Sequence, residues 1–139
     1  MPRLGALSLL TLALALGACS ASDRITAVGG GSLVGTWSLQ TINNTSLPFL
    51  LAQSGSDTLE LLSDVIIAAN GGTFADTTLV RSTVSGAVTM DTIPNTGLYV
   101  LAGSTATLTF DSDQSVAQGT LGGNRLIFNG SGVNLVYTR

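Results

Sequence analysis

Apolar and polar residues alternate along short runs of this chain, and this alternation constrains the fold more than any other feature. In the second half, apolar residues occupy every second position in three runs: Ala106, Leu108 and Phe110; Leu126 and Phe128; and Val133, Leu135 and Tyr137. Successive side chains of a β-strand point to opposite faces of the sheet, so a period of two predicts strands with one apolar face. The sequence therefore predicts a β-structure whose apolar faces share an interior.

Turn-forming residues separate these runs at regular intervals. We predict strands near residues 34–42, 57–69, 73–81, 84–92, 97–102, 105–110, 116–121, 124–128 and 133–138. The Gly, Asn, Asp and Ser residues between them tolerate the backbone conformations of tight hairpins. Residues 49–56 are predicted to form a short helical turn or a loop. The spacing favours an antiparallel meander that is closed as a barrel or folded as a sandwich.

The N-terminal segment has the features of an export signal. Arg3 precedes an apolar run over residues 4–16, which is shorter than the ~20 residues that a membrane-spanning helix needs. The run ends in the order Leu-Gly-Ala-Cys at residues 16–19. One interpretation is an ordinary signal peptide in which Cys19 is incidental, and the other is a lipobox. We favour the lipobox because Cys19 is the only cysteine of the chain.

This arrangement resembles the precursors of bacterial lipoproteins. The resemblance implies that residues 1–18 are removed as a signal peptide and that acyl chains such as palmitate modify Cys19. Several acyl chains hold a protein firmly at a membrane. Residues 19–32 are rich in Ser and Gly and are expected to form a flexible tether to a folded domain at residues 33–139. By the sorting habits of such lipoproteins, Ser20 indicates the outer membrane of the cell envelope, facing the periplasm.

The composition excludes several kinds of chemistry. The chain has no histidine and no lysine, and its eight acidic residues against five arginines give a formal net charge of −3. An acidic surface repels phosphate backbones, so we expect no nucleic-acid partner. Without histidine, and with the lone cysteine acylated, the usual ligands of metal sites and the members of Ser-His-Asp triads are missing. We therefore expect no cofactor, no metal and no enzymatic activity.

Several motifs occur in an order that is typical of one family. Gly35, Thr36 and Trp37 begin the first predicted strand, and the chain closes with a strand that ends at Arg139. Between them the sequence carries an Asn-Asn turn followed by Leu-Pro at residues 43–48. Further matching stretches are residues 60–64 and 70–74 and the run from Leu108 through Gly119, Gly123, Asn124 and Leu126. This order resembles the lipocalin-like proteins of the calycin group, in particular small bacterial lipocalin-like lipoproteins. The resemblance covers most of residues 33–139 and implies an up-and-down antiparallel β-barrel of about eight strands.

The same resemblance implies a partner for the tryptophan. In lipocalin-like proteins an arginine from a late strand stacks on the tryptophan of the Gly-x-Trp strand. Arg139 has the same strand parity as Tyr137, so we expect it to point inward and to cover Trp37, with Arg125 as the second choice. The alternative is a frayed and solvated C-terminus.

Seven residues are predicted to face the interior of the barrel: Phe74, Val88, Met90, Leu108, Phe110, Phe128 and Tyr137. They either line a ligand cavity or fill a solid core, because an eight-stranded barrel is just wide enough for either.

The acidic residues are assigned by parity and spacing. Asp76 has inward parity and is expected as a buried polar anchor at a cavity mouth, unless a bulge exposes it. Glu60 and Asp64 share parity and resemble a paired acid and base, but we predict that both are solvated and point outward. Asp111 and Asp113 are predicted to lie in a hairpin turn, because the glycine and distal glutamate of a calcium loop do not follow them.

These observations lead to two functional hypotheses. In the first, an envelope lipoprotein binds a small hydrophobic ligand, such as a lipid or an acyl chain, inside its barrel. In the second, the barrel has a solid core and serves as a non-enzymatic structural or protein-interaction module at the membrane.

Overall fold

The computed structural model describes residues 31–139, which form an all-β domain. Ten strands follow one another along the chain: β1 (Gly35–Ile42), β2 (Thr45–Ser46), β3 (Phe49–Ser54), β4 (Asp57–Ala68), β5 (Thr73–Val84), β6 (Ala87–Ala102), β7 (Thr105–Phe110), β8 (Val116–Gly122), β9 (Arg125–Gly130) and β10 (Val133–Thr138). Within this part of the chain, no helix is long and apolar enough to cross a bilayer. The predicted signal peptide, the lipidation of Cys19 and the tether up to residue 30 lie outside the described residues.

Eight of the strands close into a barrel. Strands β4 to β10 pair antiparallel in chain order, and β1 lies between the two ends of this series. On one side Leu39 of β1 is opposite Tyr137 of β10, and on the other side Trp37 is opposite Ile66 of β4. The structure therefore confirms the predicted all-β, up-and-down antiparallel barrel of eight strands. The short strands β2 and β3 are additional and pair with β1 and β4, respectively.

Alternate residues of each strand fill the barrel and form one apolar core. Trp37, Leu108 and Leu126 are among its largest fully buried side chains. Two inward-facing glycines make room for aromatic rings. A Cβ atom at Gly97 would lie 2.6 Å from the ring of Phe74 and would also meet the carbonyl oxygen of Thr109. A Cβ atom at Gly119 would lie 2.8 Å from the ring of Phe128, so glycine is required at both positions by close packing rather than by a turn.

One end of the barrel, which we call the closed end, is sealed around Trp37. The indole Nε1 of Trp37 donates a hydrogen bond of 2.7 Å to the carbonyl oxygen of Leu33. The guanidinium carbon of Arg139 lies 4.7 Å from the centroid of the Trp37 ring. Arg139 also donates to the carbonyl oxygens of Ser32 and Val34, at 2.7 and 3.2 Å. Arg139 thus occupies the place that strand parity predicts, and it ties the C-terminus to the chain before β1.

At the other end, which we call the open end, the sheet extends beyond the barrel. Strand β7 pairs only with residues 97–102 of β6, so residues 87–94 have β5 as their single neighbour in the described sheet. These residues, with the adjoining halves of β5 and β4 and with β3, form a four-stranded sheet that we call the extension. Strand β1 pairs with β4 only through residues 35–38, so the two strands part towards the open end.

Three predicted elements are wrong in this region. Residues 49–56 contain strand β3 and not a helical turn or loop. The predicted strands at residues 84–92 and 97–102 are not separate: residues 87–92 and 97–102 belong to the single strand β6, which continues through Pro94 and Asn95. Proline signals a break in a strand because it lacks the N–H group, but a strand with only one neighbour tolerates it. The sequence pattern carried no sign that β6 leaves the barrel at this point.

We predict that the contact between Arg139 and Trp37 contributes to stability beyond the separate effects of the two side chains. In a double-mutant cycle of Trp37→Phe and Arg139→Ala, the coupling free energy measured by chemical unfolding should be about 0.5–1 kcal/mol, because the arginine is exposed on its outer side. The same cycle with Arg125→Ala, which alters an exposed arginine of β9, should show no coupling. Additive effects of Trp37→Phe and Arg139→Ala would contradict the stacking.

Candidate functional site

Five of the seven predicted interior residues meet in the middle of the barrel. The rings of Phe74 and Phe110 pack edge to face with centroids 5.2 Å apart. The rings of Phe128 and Tyr137 do the same at 5.7 Å. Leu108 is on β7, which lies between β6 and β8, and its side chain is almost fully buried. These side chains belong to the packed core, so the barrel is filled with side chains around the two aromatic pairs.

The other two predicted interior residues do not belong to this group. Val88 and Met90 lie on the outer face of the extension, and each is 59% exposed. The inner positions of β6 carry odd numbers, as the partly buried Tyr99 and Leu101 show. The prediction that Val88 and Met90 line the interior is therefore wrong. It treated β6 as two strands and assigned even-numbered residues of the first to the inner face.

The open end has a cleft and an apolar inner wall. The cleft has a volume of about 440 Å³ and is bordered by β8, β9 and β10, with the following lining residues: Val116, Ala117, Gln118, Phe128, Asn129, Gly130, Ser131, Val133 and Leu135. Across the ring of strands, Phe49 and Leu59 of the extension are partly buried against the core. Ile93 has inward parity on β6 and is 43% exposed. Apolar side chains, some partly buried and others exposed, therefore surround the mouth of the barrel.

A bulge in β4 determines which acidic residues face the interior. The pairing of β4 with β5 shifts register between Leu61 and Ser63, which places Leu61 and Asp64 on the same face. Glu60 lies on the opposite face, where its carboxylate forms a 2.7 Å ion pair with Arg81. Glu60 and Asp64 are therefore not a paired acid and base. The prediction that both point outward is right for Glu60 and wrong for Asp64.

Asp64 is held inside the barrel by two hydroxyl groups. Thr78, its neighbour on β5, donates a hydrogen bond of 2.6 Å to Oδ1 of Asp64. Tyr137 reaches it from β10 and donates a hydrogen bond of 2.5 Å to Oδ2. Burial and the negative charge of Asp64 raise the pKa of Tyr137, so this phenol remains a neutral donor. The carboxylate of Asp64 is thus fixed in position from two different strands.

A second carboxyl group lies beside the first. Asp76 on β5 is opposite Ile66 of β4 and Asn95 of β6, and it is only 7% exposed. Its Oδ1 atom is buried and has no hydrogen-bond partner among the described residues. Two causes raise the pKa of Asp76 to about 7: burial is the larger, and the negative charge of Asp64 is the second. Asp76 is buried, as its parity predicted, and Asp64 and Asp76 together are the carboxylate pair of this site.

The sequence carries one signal for the inward orientation of Asp64. The apolar positions Leu61 and Ile66 are five residues apart, an odd number that a regular strand cannot place on one face. Both are buried in the structure because the bulge lies between them. A shift of parity there would have turned Asp64 inward, next to Asp76.

The remaining acidic candidates lie in a turn, as predicted. Asp111 accepts a hydrogen bond of 2.8 Å from the hydroxyl of Thr96, and Asp113 accepts one of 2.9 Å from the backbone N–H of Ser115. In residues 31–139, no group of three or more His, Cys, Asp or Glu side chains is arranged to hold a metal ion.

Comparisons with known proteins leave the family open. No family model matches this chain, and no curated protein and no solved structure shows significant similarity to it. The closed, eight-stranded antiparallel barrel is compatible with a lipocalin-like fold.

We predict that Asp76 makes the stability of the protein fall as the pH rises from about 4 to 7. The folded-state pKa of about 7 lies above 3.8, the ordinary value of an aspartate, so the folded state binds more protons than the unfolded state in this window. Asp76→Asn should remove this loss, which is on the order of 2–4 kcal/mol. The measurement is the free energy of unfolding of both proteins at several pH values. Glu60→Gln is the control because it removes an acid from the outer face of β4. A difference between wild type and Asp76→Asn that does not grow with pH would contradict the prediction.

Proposed function

We propose that this protein is a lipid-anchored envelope protein that binds a small hydrophobic ligand at the open end of its barrel and catalyses no reaction. The observation that supports this proposal is the partly buried apolar wall at the open end. Leu135, Phe128 and Ala117 border the cleft on one side, and Leu59 and Ile93 lie across the ring of strands. Ligand sites in proteins are concave and mostly apolar, with a few polar groups that set orientation.

The driving force would be removal of apolar surface from water. Each Å² of apolar surface that is buried stabilises a complex by roughly 25 cal/mol before the costs of association are subtracted. The packed aromatic pairs occupy the middle of the barrel, so the ligand would lie near the mouth and not along the whole axis. A compact apolar group, or the end of an acyl chain, is the size of ligand that a cleft of about 440 Å³ accommodates.

The alternative is a structural or protein-interaction module. Two observations favour it: the packed centre of the barrel, and the exposure of Val88 and Met90 on the outer face of the extension. Outward apolar residues on a sheet with unpaired edges suit contacts with another protein. The two proposals differ in whether the open end takes up a small molecule.

We predict saturable binding of a hydrophobic fluorescent probe, with micromolar affinity and competition by fatty acids or alkanols. The protein would be residues 19–139 with Cys19→Ser, so that no acyl chain competes. Ala117→Phe adds a ring where the partly buried Ala117 borders the cleft, and it should lower the affinity for the probe at least tenfold.

Val100→Phe is the matched control, since Val100 is 52% exposed on the outer wall and its replacement should leave probe binding unchanged. A protein that takes up no probe at micromolar concentration would support the interaction module and contradict the ligand-binding proposal.

The anchoring proposal is tested separately on the full chain expressed in a bacterium. Wild type should incorporate labelled palmitate and sediment with outer-membrane vesicles, because acyl chains on Cys19 hold it there. Cys19→Ser should incorporate no label and appear in the soluble periplasmic fraction. Unlabelled, soluble wild-type protein would contradict the anchor and would favour an ordinary signal peptide.

A further inference from the structure

We propose that the carboxylate pair binds the ammonium group of the ligand, so that the ligand is an amphipathic amine whose apolar body lies at the open end. This inference rests on the proposed function, because it requires that the open end takes up a small molecule. It adds the chemical class of the ligand and the residues that would select it.

The first argument is the unsatisfied Oδ1 atom of Asp76. A buried oxygen without a donor is costly, and buried polar atoms of folded proteins are almost always paired. Asp76 is more than nine-tenths buried, and no described residue donates to this atom. A donor that arrives with a ligand would satisfy it.

The second argument is the charge of the pair. No lysine or histidine occurs in the chain, so among residues 31–139 only three arginines carry a positive side chain. Arg81 forms its ion pair with Glu60 on the outer face of the sheet. Arg139 covers Trp37 at the closed end, and Arg125 is exposed. The carboxylate pair therefore has no positive partner within the described chain, and a ligand cation would supply one.

The third argument is that the acceptors are held in position. Asp64 is fixed by the hydroxyls of Thr78 and Tyr137, and Asp76 lies on the neighbouring strand. Each carboxylate oxygen can accept more than one hydrogen bond, so Asp64 retains capacity for a further donor. An ammonium group has three N–H donors in a compact shape, which suits two adjacent carboxylates.

The pair can be approached from the apolar mouth. Asp64, Thr78 and Asn95 are partly exposed, whereas Asp76 beside them is buried. The partly exposed Ile93 is the cross-strand neighbour of Thr78 and lies one inward position from Asn95 towards the open end. An ammonium at the pair would therefore leave an attached apolar chain among the residues of the mouth.

The site favours an ammonium over a bare metal ion. Calcium takes six to eight oxygen ligands and magnesium a near-octahedral set. Here the Thr78 and Tyr137 hydroxyls direct their hydrogens at Asp64 and are occupied as donors. The surrounding apolar wall has no function in metal binding but would bury the body of an amine.

Protons compete with the amine for this site. The groups that face Asp76 are Asp64 on β4, Tyr137 on β10 and the uncharged Asn95 on β6, whereas β1 and β7 carry no titratable side chain. Asp91 is at a further inner position of β6, four residues from Asn95 towards the open end, and is exposed. The raised pKa of Asp76, about 7, means that the carboxyl is mostly neutral at pH 5.5 and mostly charged at pH 8. An alkyl ammonium, with a pKa near that of lysine at about 10.4, stays charged over this range. The affinity for an amine should therefore rise with pH, whereas the affinity for an alcohol should not.

The test measures displacement of the hydrophobic probe by decylamine, decanol and decanoate on residues 19–139 with Cys19→Ser. At pH 8 the amine should bind at least tenfold more tightly than the alcohol, and this preference should shrink several-fold at pH 5.5. Asp76→Asn should abolish the preference while it retains alcohol and probe binding. Glu60→Gln should keep the preference, because it removes an acid from the same strand but from the outer face.

The outcomes separate the two proposals. Equal affinities for amine and alcohol in wild type would overturn the ammonium site and leave hydrophobic binding intact. A preference that persists in Asp76→Asn, or is lost in Glu60→Gln, would also overturn it, as would displacement of the amine by micromolar Ca²⁺. No binding of any probe would overturn the proposed function. Asp76→Asn should fold, since it replaces a buried charge by a neutral group of the same shape, and its thermal unfolding is the check.

Discussion

The double pairing of β1 is the constraint on which the rest of this structure depends. Its first half pairs with β4, its second half with β10, and these partners are far apart in the chain. Because β1 joins them, the sheet has no open edge within the barrel, and exposed edges are a liability in a chain rich in β-forming residues. The same closure brings Tyr137 of β10 within hydrogen-bond distance of Asp64 of β4. The candidate site exists only in the closed barrel.

The two ends of the barrel have different physical characters, and this difference underlies the proposed function. At the closed end, Trp37 is fully buried beneath Arg139, and the chain before β1 is tied down by hydrogen bonds to backbone carbonyls. At the open end, β1 and β4 part, β6 leaves its neighbour β7, and apolar side chains remain partly exposed. A barrel with a rigid closed end and a wide open end can hold polar groups in its interior, below an apolar entrance. The carboxylate pair is such a polar group.

The sequence predicted the fold well and the site only in part. Period-two runs such as that of β7 gave the strands, and the parity of Arg139 with Tyr137 placed the arginine over Trp37. Parity failed where a strand is irregular. The bulge in β4 reversed the orientation of Asp64, and the continuous β6 reversed that of Val88 and Met90. Alternation of residue number along a strand cannot reveal such irregularities, because a one-residue shift moves every later side chain to the other face.

Native-state hydrogen exchange across the seam between β1 and β4 tests this account most directly. If β1 closes the barrel, the hydrogen-bonded amides of residues 35–38 and 65–68 should exchange only through global unfolding. Their free energy of exchange should then equal that of residues 125–130, in the middle of the sheet. Exchange of residues 35–38 and 65–68 at a much lower free energy, independent of denaturant, would show an open sheet. In that case Asp64 and Tyr137 would have no shared interior.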